Sequence, residues 1–342
     1  MTIYLLRAIA IGYEVTARIS IAMGQDASHH GFHKTSVVGP VASSIAAASL
    51  LGLSAAQVTC AAGIAASMAS GVKAYAACGG GGMVKRMHAG WAAQSGVRAA
   101  LLAREGFTGP SGAVDGRYGL LEAFGGKAAN PAHLTEGLGA SWAINAVWFK
   151  VYPMCGWIQG VSQILTSMRG AINGGQPLQA DQIKKITVGT SQFAVNGNSN
   201  PTPADTMDAQ YSIPYCAGLA LTGDPGDPRA FEPAMFNDPA LRDLATRVEV
   251  IADDACEAVY PARFGSRVTL QLVNGASQSA LTLDPHGTPA DPCTDAELAA
   301  KFQRLAGLSP LRVDGEAIAR WVAGLDGETR MRDLSRLLRA TG

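Results

Sequence analysis

The chain has 342 residues, enough to bury a sizeable core in one large domain or in two smaller ones. Lys and Arg total 27 and Asp and Glu also total 27, so no net field attracts nucleic acid or a membrane surface, and neither partner is predicted. Hydrophobic residues make up 48% and charged residues 16% of the chain, a balance that favours small-molecule chemistry.

The cysteines and the N-terminal sequence indicate the cellular compartment in which the protein is expected. Six cysteines are widely scattered, with no C-x-x-C pair and no secretory signal, so reduced thiols and a cytoplasmic location are predicted. The apolar N-terminus lacks a small-residue cleavage site. Arg7, Glu14 and Arg18 interrupt it at helical intervals, which predicts a helix of a globular protein with one buried face.

The first half of the chain has the pattern of packed helices. Helices are predicted over residues 1–23, 37–51, 54–70, 89–105 and 135–148, with polar or turn-rich connections over 25–35 and 110–129. The apolar region 37–72 is long enough to raise the question of a membrane span. Gly52 breaks it, and Ser54 with Gln57 forms a capping box, so the region is interpreted as two packed helices.

The pattern changes after Pro153. Short β-branched runs over residues 183–189, 247–252 and 266–273 predict strands, and a helix over 207–221 is expected to pack on their sheet. Helices are predicted again over 294–307, 314–324 and 327–340. The fold class is therefore α+β: a mostly helical, discontinuous domain (1–148 and 291–342) with an inserted smaller α+β lid domain (149–290).

A glycine run followed by basic residues is the most distinctive stretch of the sequence. The run covers residues 79–82 and so includes Gly81 and Gly82, where a backbone without Cβ atoms can approach a ligand closely. Lys85, Arg86 and His88 follow directly, which predicts an anion pocket. The alternative is a solvated loop before a basic helix start.

Cofactor and metal patterns are missing from the sequence. The glycine run has neither the spacing of a phosphate-binding loop nor that of a dinucleotide fingerprint, and no cofactor is predicted. His29, His30 and His33 have no cysteine or carboxylate at the spacing of a known zinc pattern, and His133 and His286 are isolated. No metal site is predicted.

Several blocks together resemble the MmgE/PrpD family. They are GFHKTSVVG (31–39), KRMHAGWAAQSG (85–96), REGFTGP (104–110), DGRYG (115–119), FKVYPMCGW (149–157) and AQYSIPYCAGLAL (209–221), in the family's order. The resemblance implies a cofactor-independent cytosolic homodimer with the active site between a helical domain and a smaller lid domain. It also implies that the usual N-terminal helical segment, with an acidic motif, precedes the part matched here, so a second chain is a possible source of it.

The resemblance also points to individual residues. It implies that His33, Lys85, Lys150 and Tyr215 are pocket residues, with His33, Lys150 and Tyr215 assigned to catalysis. Lys85, Arg86, His88, Gly81, Gly82 and Cys155 are assigned to substrate binding. Three of these have ordinary structural alternatives: a surface loop histidine for His33, a snorkelling lysine for Lys150 and a core aromatic for Tyr215. Cys155 stands where decarboxylase relatives have a histidine.

The family resemblance predicts a lyase or isomerase acting on a small di- or tricarboxylic acid. Removing a proton next to a carboxylate builds up negative charge, so the site needs preorganised cations and hydrogen-bond donors. The most favoured reaction is 2-methylcitrate dehydratase-like removal of water. The alternative is a non-catalytic or partner-dependent member of the family that binds organic acids.

Overall fold

A computed structural model describes residues 2–76, 82–325 and 330–339. The α-helices of the described residues are α1 (Thr2–Ala22), α2 (Asp26–His29), α3 (Lys34–Leu50), α4 (Ala55–Ala66), α5 (Val84–Arg104), α6 (Gln159–Asn173), α7 (Gln192–Asn198), α8 (Thr206–Tyr211), α9 (Ile213–Thr222), α10 (Pro233–Phe236), α11 (Pro239–Thr246), α12 (Asp254–Val259), α13 (Asp295–Gly307), α14 (Gly315–Ala323) and α15 (Met331–Leu337). The strands are β1 (Ile183–Thr190), β2 (Val248–Ala252), β3 (Ser266–Leu272) and β4 (Ser277–Thr282).

The chain divides into two compact units. The first, called the helical unit, contains residues 1–73, 85–146 and 294–342, and the second, called the sheet unit, contains 74–84 and 147–293. This helix-rich chain with one small sheet agrees with the predicted α+β class. The role of the smaller unit as a lid stays a prediction.

The helical unit is built from helices that approach each other closely. Its core is made of small and branched side chains from α1, α3, α4 and α5. Ser43 Oγ on α3 donates to the Ala92 carbonyl oxygen on α5 at 2.8 Å, and a Cβ atom at Gly96 would overlap Ser43 Oγ. Glycine at this crossing is therefore needed for the contact between α3 and α5.

The sheet unit has a four-stranded mixed sheet of order β2-β1-β3-β4. Strand β1 runs parallel to β2 and antiparallel to β3, and β3 is antiparallel to β4. Ile186 and Val188 of β1 pair with Leu270 and Val268 of β3, and all four side chains lie in the core. Helices α6 and α9 contribute the other buried residues of this core.

Several predicted elements are confirmed. Helix α1 ends before Gly24, which has a φ of +66°, and the three predicted strands are β1, β2 and β3. The predicted capping box Ser54–Gln57 begins α4, and α13 begins with a second capping box, Thr294–Glu297. None of the helices within the described ranges is long and apolar enough to cross a membrane, in agreement with the interpretation of residues 37–72 as packed helices.

The predicted helix over residues 135–148 is wrong. This region holds turns and a short 3-10 segment, Ala143–Ala146, and a second 3-10 segment, Pro131–Leu134, precedes it. Gly137 and Gly139 have φ values of +63° and +82°, which an α-helix does not admit. The side chains of Glu14 and Arg18 bind the backbone of this region instead.

Four further corrections concern three helical regions and one strand. Helix α5 begins at Val84 rather than residue 89, so Lys85 and His88 are helical. The predicted helix over 207–221 is two helices, because Ser212 caps α9 and Pro214 lies in its first turn. Part of the predicted polar connection 25–35 is helical, in α2 and the start of α3. Strand β4 was not predicted because its exposed Ser- and Gln-rich sequence has no hydrophobic alternation.

An apolar groove lies between α1, α3 and α5 of the helical unit. Its volume is about 510 Å³, and its lining includes Ile9, Tyr13, Ala46, Leu50 and Val97. Such a groove is the kind of surface that a dimer through the helical domain would cover. The homodimer, and the second chain as a source of an N-terminal segment, stay predictions.

Candidate active site

Two histidines in the helical unit are in direct contact. His33 is the N-cap residue of α3, and His88 lies in the second turn of α5. Their Nδ1 atoms are 2.8 Å apart, and their ring centroids are 5.1 Å apart. His88 is only 4% exposed and His33 is half-buried. The structure therefore brings together two residues that are 55 positions apart in the sequence.

A short backbone pairing holds His33 in this position. The N–H of His33 donates to the Gly71 carbonyl oxygen at 2.9 Å, and the N–H of Lys73 donates to the Gly31 carbonyl oxygen at 2.6 Å. Phe32 and Val72 form an antiparallel bridge between these two bonds. These backbone hydrogen bonds hold His33 in place. The structure therefore argues against the alternative that His33 is an ordinary surface-loop histidine.

Burial and positive charge both act on the pair. Burial lowers the pKa of His33, and the charges of His88, Lys85 and Lys73 lower it further, to about 4. Burial also lowers the pKa of His88. Both imidazoles are therefore neutral at pH 7, while the two lysines make their surroundings positive. Such a site favours an anionic ligand.

The contact between the Nδ1 atoms has a chemical consequence. In a hydrogen bond between two neutral imidazoles, one Nδ1 carries the hydrogen and the other accepts it. The donating ring then has an unprotonated Nε2, which is a base, and the accepting ring has an Nε2–H, which is an acid. The geometry thus supplies one proton acceptor and one proton donor at neutral pH, and the tautomers of the two rings are linked.

Lys85 and Arg86, the other two basic residues of this stretch, differ in burial. Lys85 is half-buried and lies one helical turn before His88, which places both on the same face of α5. Arg86 is exposed and lies only two positions before His88, so it lies on a different face. Its predicted role in substrate binding is not favoured by this placement.

The glycine run is described only at its last residue. Gly82 has a φ of +56°, and its N–H donates to Asp205 Oδ2 at 2.7 Å. This N–H therefore already has a protein carboxylate as its acceptor. The hydrogen bond argues against the predicted role of Gly82 in binding a substrate carboxylate. Gly81 and the rest of the run lie outside the described residues.

The remaining predicted residues belong to the sheet unit. Lys150 is exposed and lies before Cys155, which is 8% exposed and whose N–H donates to the Gln210 carbonyl oxygen at 2.8 Å. Cys155 lies close to Tyr75 and Tyr211, whose rings meet edge-on with centroids 6.1 Å apart. Burial chiefly, with a smaller effect of Cys155, raises the pKa of Tyr75 to about 12, so this hydroxyl stays protonated. Tyr211 belongs to the block over 209–221 but was not singled out there, and Tyr75 lies outside all the blocks.

Tyr215 is a core residue. Its side chain is fully buried, its ring meets that of Phe231 edge-on, and its hydroxyl donates to the Ala230 carbonyl oxygen. Burial raises the pKa of the hydroxyl well above its ordinary value. This environment favours the structural alternative, a core aromatic that uses its hydroxyl once, and the catalytic role of Tyr215 stays a prediction.

We expect Tyr215→Phe to lower the free energy of unfolding by about 1–2 kcal/mol, because the Ala230 carbonyl group loses its donor. Turnover should stay within a few-fold of wild type. Tyr118→Phe is the matched control, since that side chain is largely exposed. Chemical denaturation and steady-state kinetics measure the two effects. A large loss of turnover with unchanged stability would return Tyr215 to the catalytic set.

The histidines described as isolated in the sequence both have partners. His133 Nδ1 lies 2.9 Å from Glu136 Oε2, and His286 Nδ1 lies 3.0 Å from Asp291 Oδ1. Donor atoms of His286 and Cys293 also lie within 4.8 Å of each other. The interpretation of His286 as isolated is therefore wrong, and the absence of a metal site stays a prediction.

Sequence reasoning missed two neighbours of the histidine pair. Lys73 reaches the pair through the backbone pairing with residue 31, and Ser36 reaches it through the first turn of α3. Neither residue stands in a pattern that distinguishes it from other lysines and serines. The position of Lys73 depends on contact between segments that are about 40 residues apart, and the approach of Ser36 to His88 depends on tertiary packing, neither of which a local pattern records.

An α+β protein with a neutral histidine pair beside lysines has the features of an enzyme that moves protons near an anion. The MmgE/PrpD N-terminal domain matches residues 2–132, and the MmgE/PrpD C-terminal domain matches residues 152–323. The chain belongs to the MmgE/PrpD family, as the resemblance predicted.

Curated relatives are similar over most of the chain. The cis-aconitate decarboxylase of Aspergillus terreus is 27% identical over 97% of this chain and 69% of its own length. The cis-aconitate decarboxylase-like protein oryM of Aspergillus oryzae is 28% identical over 97% of this chain and 70% of its own length. The human cis-aconitate decarboxylase is 31% identical over 72% of this chain and 50% of its own length.

Proposed function

We propose that this protein is a lyase that acts on a small di- or tricarboxylic acid. The observation that carries the proposal is similarity over 97% of the chain to proteins named cis-aconitate decarboxylase. The histidine pair supports it, because the pair supplies a proton donor and a proton acceptor beside two lysines. Lyase chemistry on a polycarboxylate needs both kinds of group.

The lysines have a role that differs from that of the histidines. A substrate with two or three carboxylates brings several negative charges, and Lys85 and Lys73 lie close enough to His33 to depress its pKa. A bound carboxylate offsets those positive charges, so the pKa of His33 rises in the complex. A base that is weak in the free protein then becomes stronger when substrate is present, which suits a proton acceptor.

Decarboxylation is the first candidate reaction. In this reaction a carbon–carbon bond breaks, CO₂ leaves, and the electron pair that remains is protonated at carbon. The Nε2–H of one histidine supplies that proton, and the lysines stabilise the charge that develops on the remaining carboxylates. The decarboxylase names of the relatives favour this reaction.

Dehydration is the second candidate, and Cys155 favours it. By the family resemblance, this position holds a histidine in decarboxylase relatives, whereas here it is a buried thiol. In dehydration a base takes a proton from the carbon next to a carboxylate, and an acid protonates the departing hydroxyl group. The histidine pair provides both groups. A 2-methylcitrate-like substrate is the corresponding acid.

One experiment separates the two reactions. The protein is incubated with carboxyl-labelled cis-aconitate and, separately, with citrate and 2-methylcitrate, while CO₂ release and the absorbance of unsaturated acids are followed. Labelled CO₂ from cis-aconitate indicates a decarboxylase, and new absorbance from a hydroxy acid without CO₂ indicates a dehydratase. If no acid is turned over but several raise the unfolding temperature, the protein is a binder of organic acids, and the lyase proposal is wrong.

A further inference from the structure

The hydroxyl group of Ser36 is buried next to the histidine pair and has no hydrogen-bond partner within the described residues. Ser36 is 1% exposed, so bulk water does not reach it. Buried polar atoms in native proteins are almost always hydrogen-bonded, and an exception calls for a specific explanation. One explanation is a donor that is kept for a ligand.

Ser36 and His88 both lie beside Gly71. Its N–H donates to the His33 carbonyl oxygen at 2.9 Å, so it lies in the first turn of α3. A methyl group placed on Gly71 would lie 2.5 Å from Ser36 Oγ and 3.5 Å from His88 Cε1. A side chain at position 71 would overlap Ser36, so glycine allows this backbone to pack against the hydroxyl group, with the His88 ring beside it.

The surroundings of Ser36 and the histidine pair are positive. Lys85 and Lys73 are near enough to depress the pKa of His33, and His33 itself is the N-cap residue of α3. Helix α3 has 17 residues, so its dipole adds positive potential at this end. An anion is therefore the ligand best suited to this site, because it is attracted by the positive charge and accepts a hydrogen bond from the hydroxyl group.

We propose that Ser36 is a substrate-binding residue whose hydroxyl group donates to a carboxylate oxygen of the substrate. The inference rests on the proposed function, and it names a contact that orients one carboxylate beside His88. The hydroxyl group takes no part in proton transfer. Its unpaired state in the free protein reflects a site that is organised before the ligand arrives, so little rearrangement is needed on binding.

The test is Ser36→Ala. We expect kcat/KM for the best polycarboxylate substrate to fall about tenfold to hundredfold, as for the loss of a hydrogen bond to a charged group. The unfolding temperature of the free protein should stay equal or rise, because a methyl group replaces an unpaired hydroxyl group. The rise in unfolding temperature caused by saturating cis-aconitate or citrate should shrink. A purely structural serine would not give this combination.

Ser44→Ala is the matched control. Ser44 lies on the same helix, is fully buried, and its Oγ donates to the Val41 carbonyl oxygen at 2.8 Å. This variant removes a buried hydroxyl group that already has a partner, so its kcat/KM should equal that of wild type. Histidine titration by NMR in the free Ser36→Ala protein should also match wild type, because the hydroxyl group does not bond to either ring.

The outcomes separate this inference from the proposed function. If wild type is active and Ser36→Ala keeps the same kcat/KM and the same ligand-induced shift, the role of Ser36 is refuted while the lyase proposal stands. If wild type shows no turnover but citrate or cis-aconitate raises its unfolding temperature, the lyase proposal fails and the effect of Ser36→Ala on that shift decides the inference. If wild type shows neither turnover nor a shift, both are overturned.

Discussion

Replacing His33 by Asn should lower kcat by about 10²- to 10⁴-fold, the range for losing a general acid or base. The amide of Asn can still form a hydrogen bond with His88 Nδ1, but it cannot titrate, so the contact remains while proton transfer stops. Binding should survive, because the lysines are unchanged. Steady-state kinetics and the unfolding temperature with and without cis-aconitate measure the two effects.

His30→Asn is the matched control for this variant. His30 is exposed and lies three residues before His33. Its replacement removes a histidine from the same segment and should leave kcat unchanged. Unchanged kcat in His33→Asn as well would refute the assignment of proton transfer to His33.

The linked tautomers predict how His33 and His88 combine. Because each ring fixes the hydrogen position of the other, removing either partner removes both the acid and the base from their productive states. The double variant His33→Asn/His88→Asn should therefore be only slightly less active than the worse single variant. Multiplication of the two single effects would instead show that the histidines act independently.

The pH dependence of the same site has a defined sign. The pKa of His33 in the free protein is about 4, whereas a histidine in an unfolded chain titrates near 6.5. The contribution of His33 to folding stability is thus fully present above pH 6.5 and is lost as the pH falls towards 4. In kinetics, the acid limb of kcat should lie at a higher pH than that of kcat/KM, since bound substrate raises the pKa.

Local patterns predicted the parts of the fold that local interactions determine. The capping box of Ser54 and Gln57 and the β-branched alternation of β3 concern neighbours within a few residues, and both appear as predicted. The helix boundary at Ser212 could have been predicted from the sequence, because a serine followed two residues later by a proline is typical of a helix start. The apolar content of the segment concealed this boundary.

The composition of the site could be predicted only in part. The block KRMH identified Lys85 and His88 as candidates. Their proximity to His33 depends on the packing of α5 against the first turn of α3, which the block does not record. Tyr215 shows how one local pattern fits two different roles. A tyrosine near the start of a helix has the same local pattern whether its hydroxyl group faces a pocket or a buried carbonyl group, and only the fold decides.

The failed prediction of a helix over residues 135–148 has a physical cause in α1. Arg18 donates to the carbonyl oxygens of Leu134 and Glu136, and Glu14 accepts the N–H of Ala143 at 2.6 Å. Backbone groups that would bond within a helix are thus bound by two side chains of α1. Tertiary contacts outweigh helix propensity here, since propensity differences are only fractions of a kcal/mol per residue.

Removing the carboxylate of Glu14 should therefore destabilise the helical unit strongly. Glu14 is 6% exposed and also accepts from Arg18 Nε at 2.6 Å, so Glu14→Ala leaves the charge of Arg18 and the N–H of Ala143 without this partner. We expect the free energy of unfolding to fall by about 3 kcal/mol, as when one partner of a buried ion pair is lost. Chemical denaturation at pH 7 measures it.

A milder variant and a surface pair test the cause. Glu14→Gln keeps an acceptor for the Ala143 N–H and should lose less stability than Glu14→Ala. Glu316→Ala breaks an exposed ion pair with Arg320 and should cost less than about 1 kcal/mol.

The stabilisation by Glu14 should also depend on pH. The hydrogen bond from the Ala143 N–H is the main cause that lowers the pKa of Glu14. The stabilisation is therefore present above the unfolded-state pKa near 4.5 and is lost as the pH falls through the lower folded value. Equal stability of wild type and Glu14→Ala at pH 7 would show that α1 does not hold this region, and the two positive-φ glycines alone would then account for the missing helix.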